Sequence, residues 1–589
     1  MAVNRAFESS VSRFGVRPTG TIASIVAITV GLICVPLPVP AQLTSGDLSG
    51  VVTDPSGGTV AGASVSASNV STGVKSETTS DASGVYHFAN LAIGTYDLAI
   101  KASGFAPQII NRLVVSLNRT TTQNVSLALG SAQTTVQVTD AASTLDTTSA
   151  QIANTYAERL TADLPSASSG QGVINLSLLS AGVATGGGVG AGEGPSVGGQ
   201  RPRNNNFTIE GVDNNSKTVT GPLVYVPNDA VQEFTVLQNL FQAEFGHSSG
   251  GQFNTNVKSG TNTFHGALYE YMNNRKLNAI DQVFQNQGIK ENPRYDQNRF
   301  GANFGGPIRK NKLFFFGDWE YNPNGSVSAS GVSAPTAAGV ATLSSLPGIS
   351  QTNLKIFQQY MPLAPTADQG TIDYTVPSGE TVTIPIGTAN LAGPSFQNWD
   401  YGVASIDYNA SDKDQIRGRF IYNKNSGYPP SAEPQLPAFF LPSPTTYYLA
   451  TATDYHNFSP SVTNELRIGY NRYNQSVPEG NFQFPGLDKF PTITFDDVGI
   501  QFGVNTSAPQ FTIQNTYQLT DNLTWTKGRH TFKFGFDGRK MISPQSFTQR
   551  ALGDYEYTQI TDFLYDLQPF DFAERSTGSF TYYGDQIAT

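Results

Sequence analysis

Five histidines, one cysteine and a glycine tract are the residues of this 589-residue chain that could carry catalysis or hold a metal. His87, His247, His265, His456 and His530 are scattered, and none shares the i,i+4 spacing that sets two imidazoles around one zinc ion on a helix face. Cys34 has no second thiol for a disulfide or a Cys-metal site. In "GVATGGGVGAGEGPSVGG", Gly186, Gly188 and Ala191 loosely fit G-x-G-x-x-A, a loop that brings backbone amides up to a pyrophosphate. No Lys-Ser/Thr pair follows, and the preceding "SLLSAGVA" is not embedded in a βαβ repeat, so the tract reads as a glycine-rich loop. No nucleophile–base pair emerges. The expected chemistry is therefore non-covalent: no enzyme, no cofactor and no metal.

Charged residues make up only 14% of the chain, and the net charge is -10 without a basic stripe, which argues against nucleic acid as a partner. Asn, Gln, Ser, Thr and Gly replace the missing charge, while 25 Tyr and 36 Phe supply apolar area. That mixture suits long strands with one polar face. At the N-terminus, Arg5, Arg13 and Arg17 precede an apolar run from Ile22 to about Val35, followed by "PLPVPAQ". A basic region, a short apolar core and the small-residue site ending at Ala41 are the parts of a secretory signal over residues 1–41. The run falls short of the roughly 20 residues a membrane-spanning helix needs. The mature chain is expected to be exported and free of cysteine.

Residues 42–128 read as a small β-sandwich. Short alternating runs are cut by Asp54-Pro55, Gly57-Gly58, Asp81-Ala82-Ser83-Gly84 and Ile93-Gly94, with Val51, Val65, Tyr86, Phe88, Leu91, Tyr96 and Leu98 as the expected core. Residues 129–260 are poor in aromatics, with a helical signal in "SAQIANTYAERLTADLP". Beyond Thr261 the period becomes two. In "FTIQNTYQLTDNLTW", Phe511, Ile513, Tyr517, Leu519, Leu523 and Trp525 share one face, with Gln514, Thr516, Gln518, Thr520 and Thr524 on the other. "HTFKFGFDGRK", "QIRGRFIYN" and "NELRIGYNRY" repeat the pattern. Tight connections ("GPIRKNK", "NASDKD", "FSPSV", "KGR") alternate with long polar ones (Asn273–Asn298, Asn322–Asn398, Asn425–Pro444, Gln475–Gln510). This is the pattern of an antiparallel transmembrane β-barrel, expected over 261–589, with Trp319, Tyr321, Tyr422, Tyr470, Tyr473 and Trp525 near the interfaces.

"GVVTDPSGGTVAGASVSASNVSTG" and "TSDASGVYHFANLAIGTYDLAIKASGF" resemble the carboxypeptidase-regulatory-like domain, a prealbumin-like sandwich of the carbohydrate-binding-like class. "GGQRPRNNNFTIEGVDNN" and "AVQEFTVLQNLFQAEFGHSSGGQFNTNVKSGTNTFHGALYEY" resemble the α/β plug and plug–barrel junction of TonB-dependent outer-membrane transporters, Oar-like subgroup. "LQNLFQ" stands where that family has Arg-Gly-Pro, and Val257-Lys258 where it has Thr-Lys, which leaves plug-loop detail open. The resemblance implies a plug over 129–260 with turns and junction at Gly211, Gly246, Gly250, Gly251, Lys258 and Gly260. It also implies a TonB box in "QTTVQVTDAA", at Thr135, Val136, Gln137, Val138 and Thr139. Lys258, Arg417, Arg419 and Arg467 are expected to face the lumen, where plug acids such as Glu210, Asp213 and Glu233 can pair with them.

The expected function is uptake of a bulky solute (oligosaccharide, peptide or siderophore) across a Gram-negative outer membrane. TonB, with its inner-membrane energising complex, and outer-membrane lipid are the expected partners. The alternative is an adhesion or surface carbohydrate- or matrix-binding protein anchored by the barrel. Nine clear strands and a tenth, "GSFTYYGDQ", are expected, and the barrel is expected to be incomplete because the family's barrels have more than twice as many.

Overall fold

The computed structural model describes residues 45–573, apart from 131–135, 139–149, 165–171, 188–190, 219, 281, 283–284, 286–289, 293, 429–435 and 529, together with 579–580 and 586–587. The leader expected over 1–41, Cys34, Gly188, Thr135 and Thr139 lie outside the described residues.

The first domain is cut into strands by turn chemistry. Asp54 accepts the Ser56 and Gly58 amides and Asp81 those of Ser83 and Val85, each at 2.8–2.9 Å. Between such turns run β1 (Gly46–Thr53), β2 (Ser64–Asn69), β3 (Lys75–Thr79), β4 (Val85–Leu91), β5 (Gly94–Lys101), β6 (Gln108–Val115), β7 (Thr120–Thr122) and β8 (Val125–Ser126). One sheet is ordered β4-β1-β7 with β8 also on β1. The other, ordered β3-β2-β5-β6, is extended by β9 (Val136–Val138). Leu48, Val65, Tyr86, Phe88, Leu91, Tyr96 and Leu98 from both sheets enclose one core. Val51 is half exposed, and Val52 takes its expected place, because period two carries Leu48, Gly50 and Val52 inward together.

The plug follows, as β10 (Ile152–Ala157), β11 (Val183–Thr185), β12 (Pro195–Val197), β13 (Asn206–Ile209), β14 (Val212–Asp213), β15 (Val231–Asn239) and β16 (Gln252–Val257). Its main sheet is ordered β10-β15-β16-β13-β14. The expected helix in "QIANTYAERL" is helical only over Glu158–Asp163. Residues 152–157 pair with β15 instead, and Tyr156 stacks on Phe234 at 6.0 Å, so tertiary pairing overrides the local signal.

The strands from His265 to Ile542 are β17 (His265–Asn274), β18 (Tyr295–Arg309), β19 (Leu313–Pro335), β20 (Gly370–Thr375), β21 (Thr381–Asn409), β22 (Asp414–Tyr428), β23 (Thr445–Ser459), β24 (Val462–Val477), β25 (Thr492–Phe495), β26 (Ile500–Phe502), β27 (Gln510–Lys527) and β28 (His530–Ile542). Nine of them form one antiparallel path, β17-β18-β19-β21-β22-β23-β24-β27-β28, whose end strands do not pair with each other. Leu268, Phe304, Ile406, Phe420, Ile468, Leu519 and Phe534 stand exposed on the convex face. Phe316, Val403, Ile421, Leu449 and Tyr473 point inward into the plug's core. Of the expected tenth strand, Ser579–Phe580 and Gln586 are described, and Ser579–Phe580 pairs with Gln586–Ile587; the rest lies outside the described residues.

Short turns join the strands at one end. At the other lie the long connections expected, and parts of them fold on an apolar core instead of being polar throughout. Helices Ala337–Ser344, Gln351–Tyr360 and Ile560–Leu564, with β20, β25, β26 and Asp554–Tyr557, pack into a cap around Phe357, Tyr374, Phe439, Phe495, Phe502 and Phe563. β19 and β21 run 23 and 29 residues to reach it.

Candidate functional site: the plug–wall junction

The hairpin between β13 and β14 turns at Glu210 and Gly211, both left-handed (φ 49° and 69°), a conformation glycine adopts without a steric cost. It thrusts residues 210–217 against the concave wall. Arg419 of β22 sets Nε 3.5 Å from Glu210, while its Nη1 donates to Asp407 at 2.9 Å and its Nη2 to Ser259 at 3.0 Å. Arg467 of β24 donates to the Gly211 carbonyl at 3.2 Å and pairs with Glu465. Arg539 of β28 donates to Asp213 at 2.9 Å and to Asp537 at 2.8 Å. Gln518 of β27 accepts the Asp213 amide at 2.8 Å, Gln514 accepts that of Lys217 at 3.1 Å, and Asn471 donates to the Asp213 carbonyl. One plug loop is thereby fastened to four wall strands. Removing one partner of such a buried pair costs about 3–5 kcal/mol, because the other charge is left uncompensated.

The expected lumen-facing residues are brought together unequally. Arg419 meets a plug acid and Arg467 a plug carbonyl. Arg417 instead pairs with Asp407 of the wall at 3.9 Å and lies over the Tyr455 ring at 4.6 Å. Lys258 pairs with Glu158 at 2.9 Å rather than with Glu210. Among the described residues Glu233 forms no ion pair with a wall arginine; it accepts the Leu117 amide of the β-module at 2.5 Å, with Arg119 of the module near enough to act on its charge. Arg539 was not singled out from the sequence as a lumen residue. The signal was present, since period two sets it with Lys533 and Asp537 opposite the Phe532, Phe534 and Phe536 face.

At the junction, a Cβ on Gly260 would stand 2.3 Å from the Phe315 carbonyl, so the chain enters the wall only because that position is bare. Gly246 accepts from the Gln252 side chain, Gly250 donates to Asn204, and Gly251 donates to Asn205, tying the preceding loop to β13. At the capped end, Tyr225 of the plug meets Trp399 edge-on at 6.4 Å. Trp399 stacks on Tyr401 at 5.7 Å and on Tyr447 at 6.1 Å, and Tyr447 stacks on Tyr473 at 5.1 Å. Burial pushes the nearby Glu193 carboxyl up.

The β-module closes the short-turn end. Asn90 donates to Thr463 at 3.3 Å, His87 is 3.0 Å from Thr526, and Asn262 donates to the Thr72 carbonyl. Lys533 lies 3.8 Å from Asp47 of the module and 3.4 Å from Glu244 of the plug. Burial works to raise the Asp47 carboxyl, but Lys533 and His87 outweigh it and hold the group well below the usual range. A cavity of about 170 Å³ remains between module, plug and wall, bordered by Asn69, Glu158, Lys258, Gln415 and Arg417. Among the described residues no group of three His, Cys, Asp or Glu side chains could hold a metal ion. Of the expected coupling segment, Val136–Val138 is described, and it pairs in parallel with β6.

The family described as "Outer membrane beta barrel domain" matches residues 256–586, and "Carboxypeptidase regulatory-like domain" matches 47–128. Over 243 residues the chain is 27% identical to the TonB-dependent transporter Oar of Myxococcus xanthus, covering 40% of this chain and 23% of that protein. Among solved structures, the outer membrane transporter YddB from Escherichia coli aligns with a TM-score of 0.45 and 14% identity over 69% of this chain and 50% of its own. The siderophore receptor PirA from Acinetobacter baumannii aligns at 0.41 with 13% identity, over 68% and 49%. The chain thus spans about half the length of these solved relatives.

Proposed function

Since the chain belongs to the outer-membrane β-barrel domain family and so to the Gram-negative outer membrane, we propose that the complete protein is a TonB-dependent transporter taking up a bulky solute. The observation that carries this reading is the Glu210–Lys217 loop, held to four wall strands by ion pairs and amide bonds. Such polar contacts can be exchanged for water when the plug is pulled, while the apolar contacts of Phe316, Val403, Ile421, Leu449 and Tyr473 with the plug core resist rehydration and favour its return. The short-turn end faces the periplasm and the cap faces the outside. Lipid covers the convex band of Leu268, Phe304, Phe420 and Leu519.

In this reading a solute (oligosaccharide, peptide or siderophore) binds from outside. TonB, driven by its inner-membrane complex, adds a strand to Thr135–Thr139 and loosens the plug. The test compares compounds lost from the medium by cells with and without the gene. Depletion should require TonB and should vanish in Val136→Pro and Val138→Pro, because proline removes the N–H that strand addition uses. Depletion at wild-type rate by both variants would exclude this segment as the coupling strand. The folded cap, a rigid surface with its own core, favours adhesion as the second reading, which predicts surface binding of carbohydrate or matrix with no TonB-dependent depletion.

A further inference from the structure

The β-module is anchored on two sides. Its Leu117 amide and Ile93 carbonyl meet Glu233 and Gln232 on plug strand β15, and Asp47, His87 and Asn90 meet Lys533, Thr526 and Thr463 of the wall. On this fixed body, β6 would end a four-stranded sheet with an open backbone edge. β9 occupies that edge in parallel, with Gln108 opposite Val136, Ile109 opposite Gln137 and Ile110 opposite Val138. β9 is then the last strand in the order β3-β2-β5-β6-β9, and its outer edge has no strand partner among the described residues. Proteins blunt such edges with charge, especially lysine, or with proline, and the sequence from Gln133 to Thr139 contains neither.

We propose that the β-module and β9 together form the docking surface for the coupling partner, an extended strand of a periplasmic protein that adds to the outer edge of β9. This rests on the reading of Thr135–Thr139 as the TonB box and goes beyond it: the partner meets the fifth strand of a folded sheet, not a loose peptide. A strand already ordered by β6 loses less conformational freedom on binding than a free segment does. The same arrangement delivers the pull sideways, through Leu117 and Ile93, to Glu233 and Gln232 on β15, a strand flanked on both sides in the plug sheet.

The test uses the complete mature protein in lipid nanodiscs, freed of any other thiol, with the purified C-terminal periplasmic domain of TonB as probe. Gln108→Cys and Val136→Cys are bridged with dibromobimane, whose fluorescence reports that both thiols have reacted and hence that the register is present. Bridging should leave the Kd of this variant within about twofold of its unbridged value, and a free Gln133–Ala142 peptide should bind at least about tenfold more weakly than the protein. A loss of about tenfold or more on bridging would overturn the proposal, because β9 would then have to leave the module to bind. A peptide as tight as the protein would overturn it too. If the otherwise unsubstituted protein and its Val138→Pro variant bind the probe alike, or neither binds, the proposal falls at its premise, the TonB-box reading.

Discussion

Glu233 shows how one buried carboxyl can tie two domains together. It sits on β15, 4% exposed, and accepts the Leu117 amide from the module. Burial pushes its pKa from 4.5 to about 7, against the opposing pull of that amide and of Arg119. An acid whose pKa is raised in the folded arrangement supports that arrangement fully below its free value and loses the contribution as pH climbs through the folded one. The window is therefore pH 4.5 to about 7, and the shift amounts to about 3 kcal/mol across it. Calorimetry of the complete protein should show module and plug melting at lower temperature at pH 7.5 than at pH 5. Glu233→Gln should flatten that difference and raise the melting temperature at pH 7.5. An unchanged pH dependence in the variant would assign the effect to other groups.

At the scale of single strands, neighbours along β27 do different work. Leu519 is exposed on the convex face, and Gln518 is buried against the plug, bonded to the Asp213 amide and, at 2.6 Å, to Asp537. In the complete protein, Leu519→Arg should cost about 2–4 kcal/mol of membrane insertion near the midplane, read by unfolding in vesicles. Gln518→Ala should leave insertion unchanged and weaken plug docking by about 1 kcal/mol, read as faster exchange of the Asp213 amide. Equal loss of insertion in both would refute the pleat. These facings were legible because period two is a local property that four separate strands repeat. The cap was not, because its core is gathered from connections far apart in sequence: Phe357 and Tyr374 precede Phe439, Phe495 and Phe563, and no period links them. The ion-pair partners were legible only as faces, since which acid meets which base depends on tertiary register, within the plug as well as between plug and wall. That is why Lys258 meets Glu158 and Arg539 meets Asp213. The cap gives a prediction of its own. Phe495 is fully buried there, and Phe495→Ala should cost about 3–5 kcal/mol of cap stability. Surface protease should then cleave within 336–380 in intact cells, while gel mobility of the unheated barrel stays the same.

For the molecule as a whole, the sheet edges decide what the membrane accepts. β17 and β28 end the strand path, and every position of β17 on both faces is exposed or half-exposed, as expected of a strand that has no outer strand partner among the described residues and touches the plug through Tyr271, which donates to Asp229 at 3.2 Å. Water would satisfy the free N–H and C=O groups along those edges, but hydrocarbon would not, at a cost of several kcal/mol per group. Ten residues of β17 and thirteen of β28 thus make insertion of this sheet alone prohibitive, however well its convex face suits lipid. Inserted protein must carry strands that pair with both edges, supplied in the same polypeptide or by another copy. Refolded into lipid vesicles, a polypeptide of these 589 residues should pellet as aggregate and give one gel band whether heated or not. Adding strands that close β17 to β28 should produce the faster unheated band of a closed barrel. A heat-modifiable, protease-resistant monomer formed from the 589 residues alone would show that the two edges meet, and would refute the open path.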